Sequence, residues 1–247
     1  MNSPQSRDGE KGRNSGGRRV WIVLVMLCAI GAVAATRRIV ALGTAPAAGS
    51  ADFAGLDAHF AAQAGVTLVH LVPSLLFVLL VPLQFVPSLR QRHPRVHRWT
   101  GRVIVLLGVV ISGSALWLSG HPVGGLAESS ATIFFGCFFL LALAKAWWHI
   151  RNGRVELHRE WATRMTPIAL GVATTRPIMG AFFATSRLTG LTSHDFFGPA
   201  MWLGLTSTCL AGEAWIRYSL WPRVQGEDSA TRRTRDTNRQ CVPDVQF

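Results

Sequence analysis

Several ionisable side chains that could do chemistry lie inside long apolar stretches of this sequence. Arg176 lies in the middle of the apolar segment 169–183, and His70, Lys145 and Glu213 lie in similar segments. A charge near the middle of a membrane helix is unfavourable by about 3 kcal/mol or more. These side chains must therefore be compensated inside the protein, or they serve a function such as conducting a solute or a proton.

The histidines form a second set of candidates, namely His70, His97, His149 and His158. Two imidazoles from different helices at the same depth could ligate haem b. His149 could pair with His97 or His158, whereas the histidines nearest to His70 lie in loops. A histidine within a span could equally bind a quinone, pass protons or form a hydrogen bond with a neighbouring helix.

Basic and aromatic side chains cluster just outside the apolar stretches. The candidates for contact with an anionic headgroup, phosphate or carboxylate are Arg98, Arg102, Arg159, Trp161 and Arg164. His93 and His97 have a spacing found in metal sites, but Pro94 interrupts a continuous helix through both. We therefore predict no metal site. Cys28, Cys137, Cys209 and Cys241 form no CxxC pair and are expected to be buried and to pack as small apolar residues.

Six apolar segments are long enough to cross a bilayer, which takes about 17–25 residues. Backbone groups in lipid must be satisfied within each segment, so continuous hydrophobicity predicts helices. The fold class is an all-α polytopic bundle. The predicted transmembrane helices are Val20–Leu42, Gly65–Val86, Arg102–Ser119, Ser129–Ile150, Met165–Ser186 and Phe196–Leu220.

Lys and Arg in the connecting segments predict the orientation. With six spans, most of the 25 basic residues fall on one side of the membrane, whereas five or seven spans would scatter them. Both termini are therefore predicted to be cytoplasmic. The net charge of +12 follows this pattern rather than a compact basic surface, so we expect no nucleic-acid partner. Candidate partners are the bilayer, anionic headgroups at the cytoplasmic face and another membrane protein.

The chain divides into a membrane domain, 20–221, and two polar tails. The tails, 1–19 and 222–247, lack an apolar face and are predicted to be disordered cytoplasmic segments. The first span is short between the pairs Arg18–Arg19 and Arg37–Arg38, so a cleaved signal peptide ending near Ala34 is the alternative.

Depth along the predicted helices indicates which charges can meet. At 1.5 Å per residue, Glu213 lies about 6 Å and Lys145 about 9 Å from the cytoplasmic boundary. A Lys145–Glu213 pair is therefore possible. Arg176 lies about 18 Å from the same boundary, which is marginal for a pair with Glu213. Its acceptor could be the Ala173 carbonyl that Pro177 leaves unpaired, internal water or a bound anion.

These motifs resemble a bacterial membrane-protein family catalogued as domain of unknown function 2306. The resemblance covers about residues 59–218, and it departs from the family pattern at Val81, Ala162 and Cys209–Leu210. It implies a multi-pass protein of the bacterial cytoplasmic (inner) membrane with these candidate positions, and it implies no reaction. The matching pieces are His70 with VPLQF downstream, HRWTGR at His97–Arg102, HREWATR at His158–Arg164, Arg176, and GEAWIR around Glu213.

Three functions follow from these observations. The favoured one is a structural or partner subunit whose intramembrane polar cluster of Arg176, Glu213, Lys145 and His70 holds helices together. The first alternative is a small-solute or proton-coupled transporter, although the two halves show no inverted repeat. The second is a redox protein that carries haem b. No nucleophile–base pair or phosphate loop indicates a reaction, so enzymatic activity stays undecided.

Overall fold

The computed structural model describes residues 4–44 and 51–219, and this part of the chain forms helices without any strand. The all-helical prediction is therefore confirmed. The helices are α1 (Pro4–Gly43), α2 (Ala51–Ala62), α3 (Ala64–Gln84), α4 (Pro87–Arg92), α5 (Pro94–Leu118), α6 (Gly125–Arg151), α7 (Val155–Thr189) and α8 (Ser193–Ser219).

Within the described residues, five helices are long and apolar enough to cross a membrane: α1 from Arg18, α3, α5, α6, and α7 as far as Ser186. The sixth predicted span corresponds to α8. At 27 residues it is long enough, but its composition places it outside that set. It packs against α7 and α6. The six-span count therefore stays a prediction.

Several helices begin earlier than the sequence predicted. α5 begins at Pro94 rather than Arg102, because proline has no N–H to lose in the first turn. α7 begins at Val155 rather than Met165. The short helices α2 and α4 were not predicted. Both are too short to show the long apolar run on which the span prediction depended.

The N-terminal tail, 1–19, was predicted to be disordered, but the part of it that the structure describes is helical. α1 begins at Pro4 and continues without a break through the first span. Helix nucleation is unfavourable, but each residue that extends an existing helix adds one hydrogen bond. The apolar first span can therefore be extended toward the N-terminus by these additional turns. The predicted C-terminal tail, 222–247, and Cys241 lie outside the described residues.

Apolar side chains cover both the interior and the outer surface of the bundle. Phe77, Val81 and Phe139 are buried in the main core. Leu106 on α5 and Phe134 on α6 are instead exposed. Cys28 is buried, Cys209 is half-buried, and Cys137 is exposed, unlike the buried position expected for it. Apolar surface over this much of the outside fits a bundle surrounded by lipid.

Helices α7 and α8 approach each other closely at glycines. A Cβ at Gly204 would lie 2.9 Å from the Thr175 nitrogen, and one at Gly212 would lie 3.0 Å from the Pro167 Cβ. Small residues allow such backbone contact between membrane helices. The close pairing fixes the rotation of α7, and this rotation decides which of its side chains face the interior.

A local hydrogen-bond arrangement begins α8. The Thr192 hydroxyl and backbone N–H donate to Asp195 Oδ2 at 2.7 and 2.9 Å. These bonds hold the pKa of the Asp195 carboxyl below its usual value. The bond from the Thr192 N–H to the Asp195 side chain is one half of a capping box, and it satisfies a backbone donor at the start of the helix.

Candidate ligand-binding cavity

A cavity of about 440 Å³ lies between α1, α3, α5, α6, α7 and α8. We call the end of the bundle with α4 and the α6–α7 connection the basic end. The cavity extends from the middle of the bundle to the opposite end, where α2 and the exposed residue His121 line it. Its volume falls in the range of about 300–1,000 Å³ that small-molecule sites occupy.

One row of residues on α7 forms a wall of this cavity. Ile168, Val172, Arg176 and Gly180 follow one another at intervals of four residues, which places them on one helix face. Arg176 lies deep among protein atoms, yet its surface is exposed because it borders the cavity. The guanidinium therefore lies inside the membrane domain and next to space that a ligand or water can enter.

Arg176 has no hydrogen-bond or ion-pair partner among the described residues. The Ala173 carbonyl, one acceptor predicted from sequence, makes no such contact with it there. The positive charges of Arg37 and Arg38 both act on it. An internal cation without an acid beside it attracts an anion, because the surrounding apolar groups screen charge weakly.

His70 lies on α3 and lines the same cavity. Its Nδ1 lies 3.2 Å from the Ile111 carbonyl and 3.1 Å from Ser114 Oγ on α5. A carbonyl can only accept, so Nδ1 carries the proton and donates. In the neutral ring, Nε2 is then an acceptor. The bond to α5 fixes the ring orientation, as the structural interpretation of this histidine would require.

Ion pairs and hydrogen bonds tie α2 across the opposite end. Asp57 on α2 pairs with Arg38 and, at 3.2 Å, with Arg37, both near the end of α1. His59 Nε2 bonds to the His121 carbonyl at 2.9 Å. α2 therefore covers part of the cavity mouth, held there by contacts with α1 and with the α5–α6 connection.

The part of the cavity nearest the middle of the bundle is apolar. Phe77, Phe139 and Leu205 line it and are almost fully buried. The Phe77 and Phe139 rings meet edge to face, with centroids 6.0 Å apart. We call Phe77, Phe139, Leu205 and Ile168 the floor of the cavity. The cavity is thus polar toward the mouth and apolar at the floor.

Glu213 belongs to a separate cluster at the basic end. Arg164 Nε and a terminal nitrogen donate to the two Glu213 oxygens at 3.0 and 3.2 Å. Arg164 also pairs with Glu160 at 2.6 Å, and Arg217 lies 3.7 Å from Glu213. This network joins α7 to α8 and is the kind of interhelical connection that a structural role predicts.

Lys145 differs from its predicted position beside Glu213. Its depth matches, but it is exposed on α6, whereas the neighbouring residues Ala142 and Ala146 are buried. Its ammonium group lies 6.0 Å from the Trp148 ring centroid. The predicted polar cluster therefore divides. His70 and Arg176 share the cavity, Glu213 joins the basic-end network, and Lys145 faces outward.

The other three candidate histidines lie at the basic end, away from His70. His158 Nδ1 bonds to the Ala146 carbonyl at 2.8 Å, and His158 acts electrostatically on both His97 and His149. The Nδ1 atoms of His97 and His149 are buried and lack a hydrogen-bond partner in the described part of the chain. No group of three or more His, Cys, Asp or Glu residues among 4–44 and 51–219 could hold a metal ion.

The remaining basic-end candidates are largely engaged with neighbouring groups. Arg159 pairs with Glu156 at 3.0 Å. Arg98 Nε donates to the Pro94 carbonyl, and the Arg102 guanidinium lies 5.3 Å from the Trp99 ring centroid. The Arg164 guanidinium likewise lies over the Trp161 ring, 5.1 Å from its centroid. Headgroup binding by these residues stays a prediction.

Sequence reasoning missed most of the cavity wall. Ser74, Thr132 and Glu128 line it, although none was a candidate. A signal was available in α3, where Thr67, His70 and Ser74 recur on one helix face within an apolar segment. Glu128 accepts a hydrogen bond from the Gly124 N–H at 2.7 Å, near the mouth.

Comparison with known proteins gives one match. The sequence model of a family described as predicted membrane protein, DUF2306, matches residues 67–216. No curated protein matches the chain. No solved structure matches it either. The matched range contains both His70 and Arg176, together with the Arg164–Glu213 pair.

Proposed function

This chain belongs to the DUF2306 family of predicted membrane proteins, and we propose that it binds a small anionic solute within the bilayer, as a carrier does. The observation that carries this proposal is Arg176. Its guanidinium borders a cavity of about 440 Å³ and has no ion-pair partner among the described residues. An intramembrane ionisable residue beside such a space typically marks a solute pathway.

The structural-subunit hypothesis explains a different part of the molecule. A structural charge should join helices, as Arg164 does when it binds Glu213 across α7 and α8. Arg176 makes no such contact in the described part of the chain. Solute binding therefore accounts better for a charge that is both deep and accessible. The haem alternative has less support, because His70 lies apart from His97, His149 and His158.

The proposal includes an orientation. Six spans, with α8 as the sixth, place the basic end and both termini in the cytoplasm, so the cavity mouth faces the outside of a bacterial cytoplasmic membrane. Leu203 and Leu210 support a lipid-facing α8, since both are exposed. The arginines near α4 and the α6–α7 connection support the assignment of the cytoplasmic face.

Cysteine accessibility tests the proposal. Gly180 lines the cavity one turn after Arg176, and a Cβ there would have no atom within 4 Å. In a variant without the native cysteines, Gly180→Cys should react with water-soluble methanethiosulfonates applied from outside. The anionic sulfonatoethyl reagent should react about tenfold faster, relative to free thiol, than the cationic aminoethyl reagent. Adding Arg176→Gln should remove that preference.

Gly113→Cys is the matched control. Gly113 is also a helix-interior glycine with open space at its Cβ, but it lies outside the cavity lining. It should stay unreactive because it faces lipid. If Gly180→Cys reacts from neither side of the membrane, a water-filled path to Arg176 is untenable and the proposed function fails.

A further inference from the structure

The cavity has two chemically different parts that a single ligand can fill together. Arg176 lies in its middle, and the floor of Phe77, Phe139, Leu205 and Ile168 lies toward the basic end. Arg176 and Ile168 are two turns apart on α7, which corresponds to about 12 Å of depth. Beyond the cation, the cavity therefore continues into an apolar space.

The charges around the cavity limit the charge of the ligand. Near the mouth, Arg37 and Arg38 are paired with Asp57, so one acid partly offsets two cations. Glu128 adds a carboxyl group to the same lining. Arg176 is the cation that has no acid beside it in the described residues. One uncompensated guanidinium in a weakly screening interior fits one negative charge better than two.

We propose that the ligand is an amphipathic monocarboxylate, with its carboxylate on Arg176 and an apolar tail directed toward the floor. This inference rests on the proposed anion-binding function and names its ligand class. A planar guanidinium matches a carboxylate through two parallel hydrogen bonds, which favours this headgroup. The tail removes apolar surface from water, and it packs against the Phe77 and Phe139 rings.

The test is a chain-length series of straight-chain carboxylates, from acetate to decanoate. Binding is measured by calorimetry on the full-length protein in nanodiscs of zwitterionic lipid. Empty nanodiscs correct for partition into lipid. Each added methylene should tighten binding about fourfold until the floor is filled, after which affinity should level off or fall. Alkyl amines of the same lengths should not bind.

Each outcome bears on one of the two proposals. If acetate and longer carboxylates bind equally well, and Arg176→Gln abolishes both, anion binding stands and the apolar-tail inference is overturned. If no carboxylate and no inorganic anion such as chloride or phosphate binds, the proposed function is overturned as well. Binding that persists unchanged in Arg176→Gln also overturns the placement of the headgroup.

A second variant tests the floor itself. Phe139→Leu enlarges the floor, so the chain length at which affinity peaks should increase. Phe134→Leu is the matched control, because Phe134 lies on the exposed face of α6 and outside the cavity lining. An unchanged length profile in folded Phe139→Leu protein would contradict the position of the tail.

Discussion

His70 and Arg176 line the same cavity from α3 and α7, and the guanidinium charge acts on the imidazole ring. The two side chains differ in how they are held. His70 is fixed by its Nδ1 bonds to Ile111 and Ser114, whereas Arg176 has no hydrogen-bond partner in the described part of the chain. The cavity is therefore lined by an imidazole whose orientation is fixed and by a guanidinium that is free to bind a ligand.

Replacing Arg176 should stabilise the unliganded protein. Arg176→Gln removes a charge that has no acid partner among the described residues, so the free energy of unfolding should rise by about 1–3 kcal/mol. Denaturation of detergent-solubilised protein measures this change. Lys145→Gln is the control and should have little effect, because Lys145 is exposed beside Trp148. A clear loss of stability in Arg176→Gln would instead identify Arg176 as a structural connection between helices.

Filling the cavity at Gly180 should block ligand binding without unfolding the protein. A side chain at Gly180 meets no atom within 4 Å of its Cβ, so Gly180→Leu should project into the cavity. Carboxylate binding should fall at least about tenfold in calorimetry. Helix stability should be kept or gain about 0.5–1 kcal/mol, since glycine is a weak helix former. Gly113→Leu should keep wild-type binding, and equal losses in both variants would argue against the cavity as the site.

Adding one methyl group between α7 and α8 should destabilise the protein. In Gly204→Ala the new Cβ would lie 2.9 Å from the Thr175 nitrogen, so the helices must move apart. The expected loss is about 1–3 kcal/mol in the free energy of unfolding. Gly113→Ala, which adds the same atom in open space, is the control. Equal stability of the two variants would refute the close approach.

The Arg164–Glu213 pair should contribute modestly to stability and not to ligand binding. Both side chains are partly exposed, at 21% and 35%, so solvent screens the pair. A double-mutant cycle with Arg164→Gln and Glu213→Gln should give a coupling of about 0.5–1 kcal/mol. Carboxylate binding should be unchanged in either single variant. A large loss of binding would place this cluster within the functional site.

Removing the acid at the mouth should speed the entry of anions. Asp57→Asn takes away the negative charge between Arg37 and Arg38, which raises the positive potential at the entrance. The anionic thiol reagent should then react with Gly180→Cys several times faster at low salt. The gain should disappear in high salt, because exposed charges are screened. The cationic reagent should show the opposite change, and a gain for both reagents would indicate that α2 has opened.

Much of the fold could be predicted because its causes are local. α3 and α6 follow from continuous apolar runs, whose backbone groups must bond within each helix in lipid. Helix starts were less predictable. α5 begins at Pro94 and α7 begins at Val155. The first turns of both helices are polar, so a prediction based on apolar segments does not include them. The short helix α2 was missed because it is too short to show the long apolar run on which the span prediction depended.

The site was only partly predictable. Arg176 and His70 stood out as polar residues in apolar segments, and depth counting placed Glu213 too near the boundary for an easy pair with Arg176. The same counting suggested Lys145 as a partner for Glu213, and there it was wrong. Glu213 binds Arg164, which lies on α7, while Lys145 lies on the exposed face of α6.

The sequence by itself determined the helical class, the apolar spans and the depth of each charge, since these depend on composition and on a fixed rise per residue. The tertiary structure decided the rotation of each helix about its axis. Packing sets this rotation, as at Gly204 against Thr175 on α8 and α7. It is this rotation that turns Arg176 toward a cavity, Arg164 toward Glu213 and Lys145 away from both.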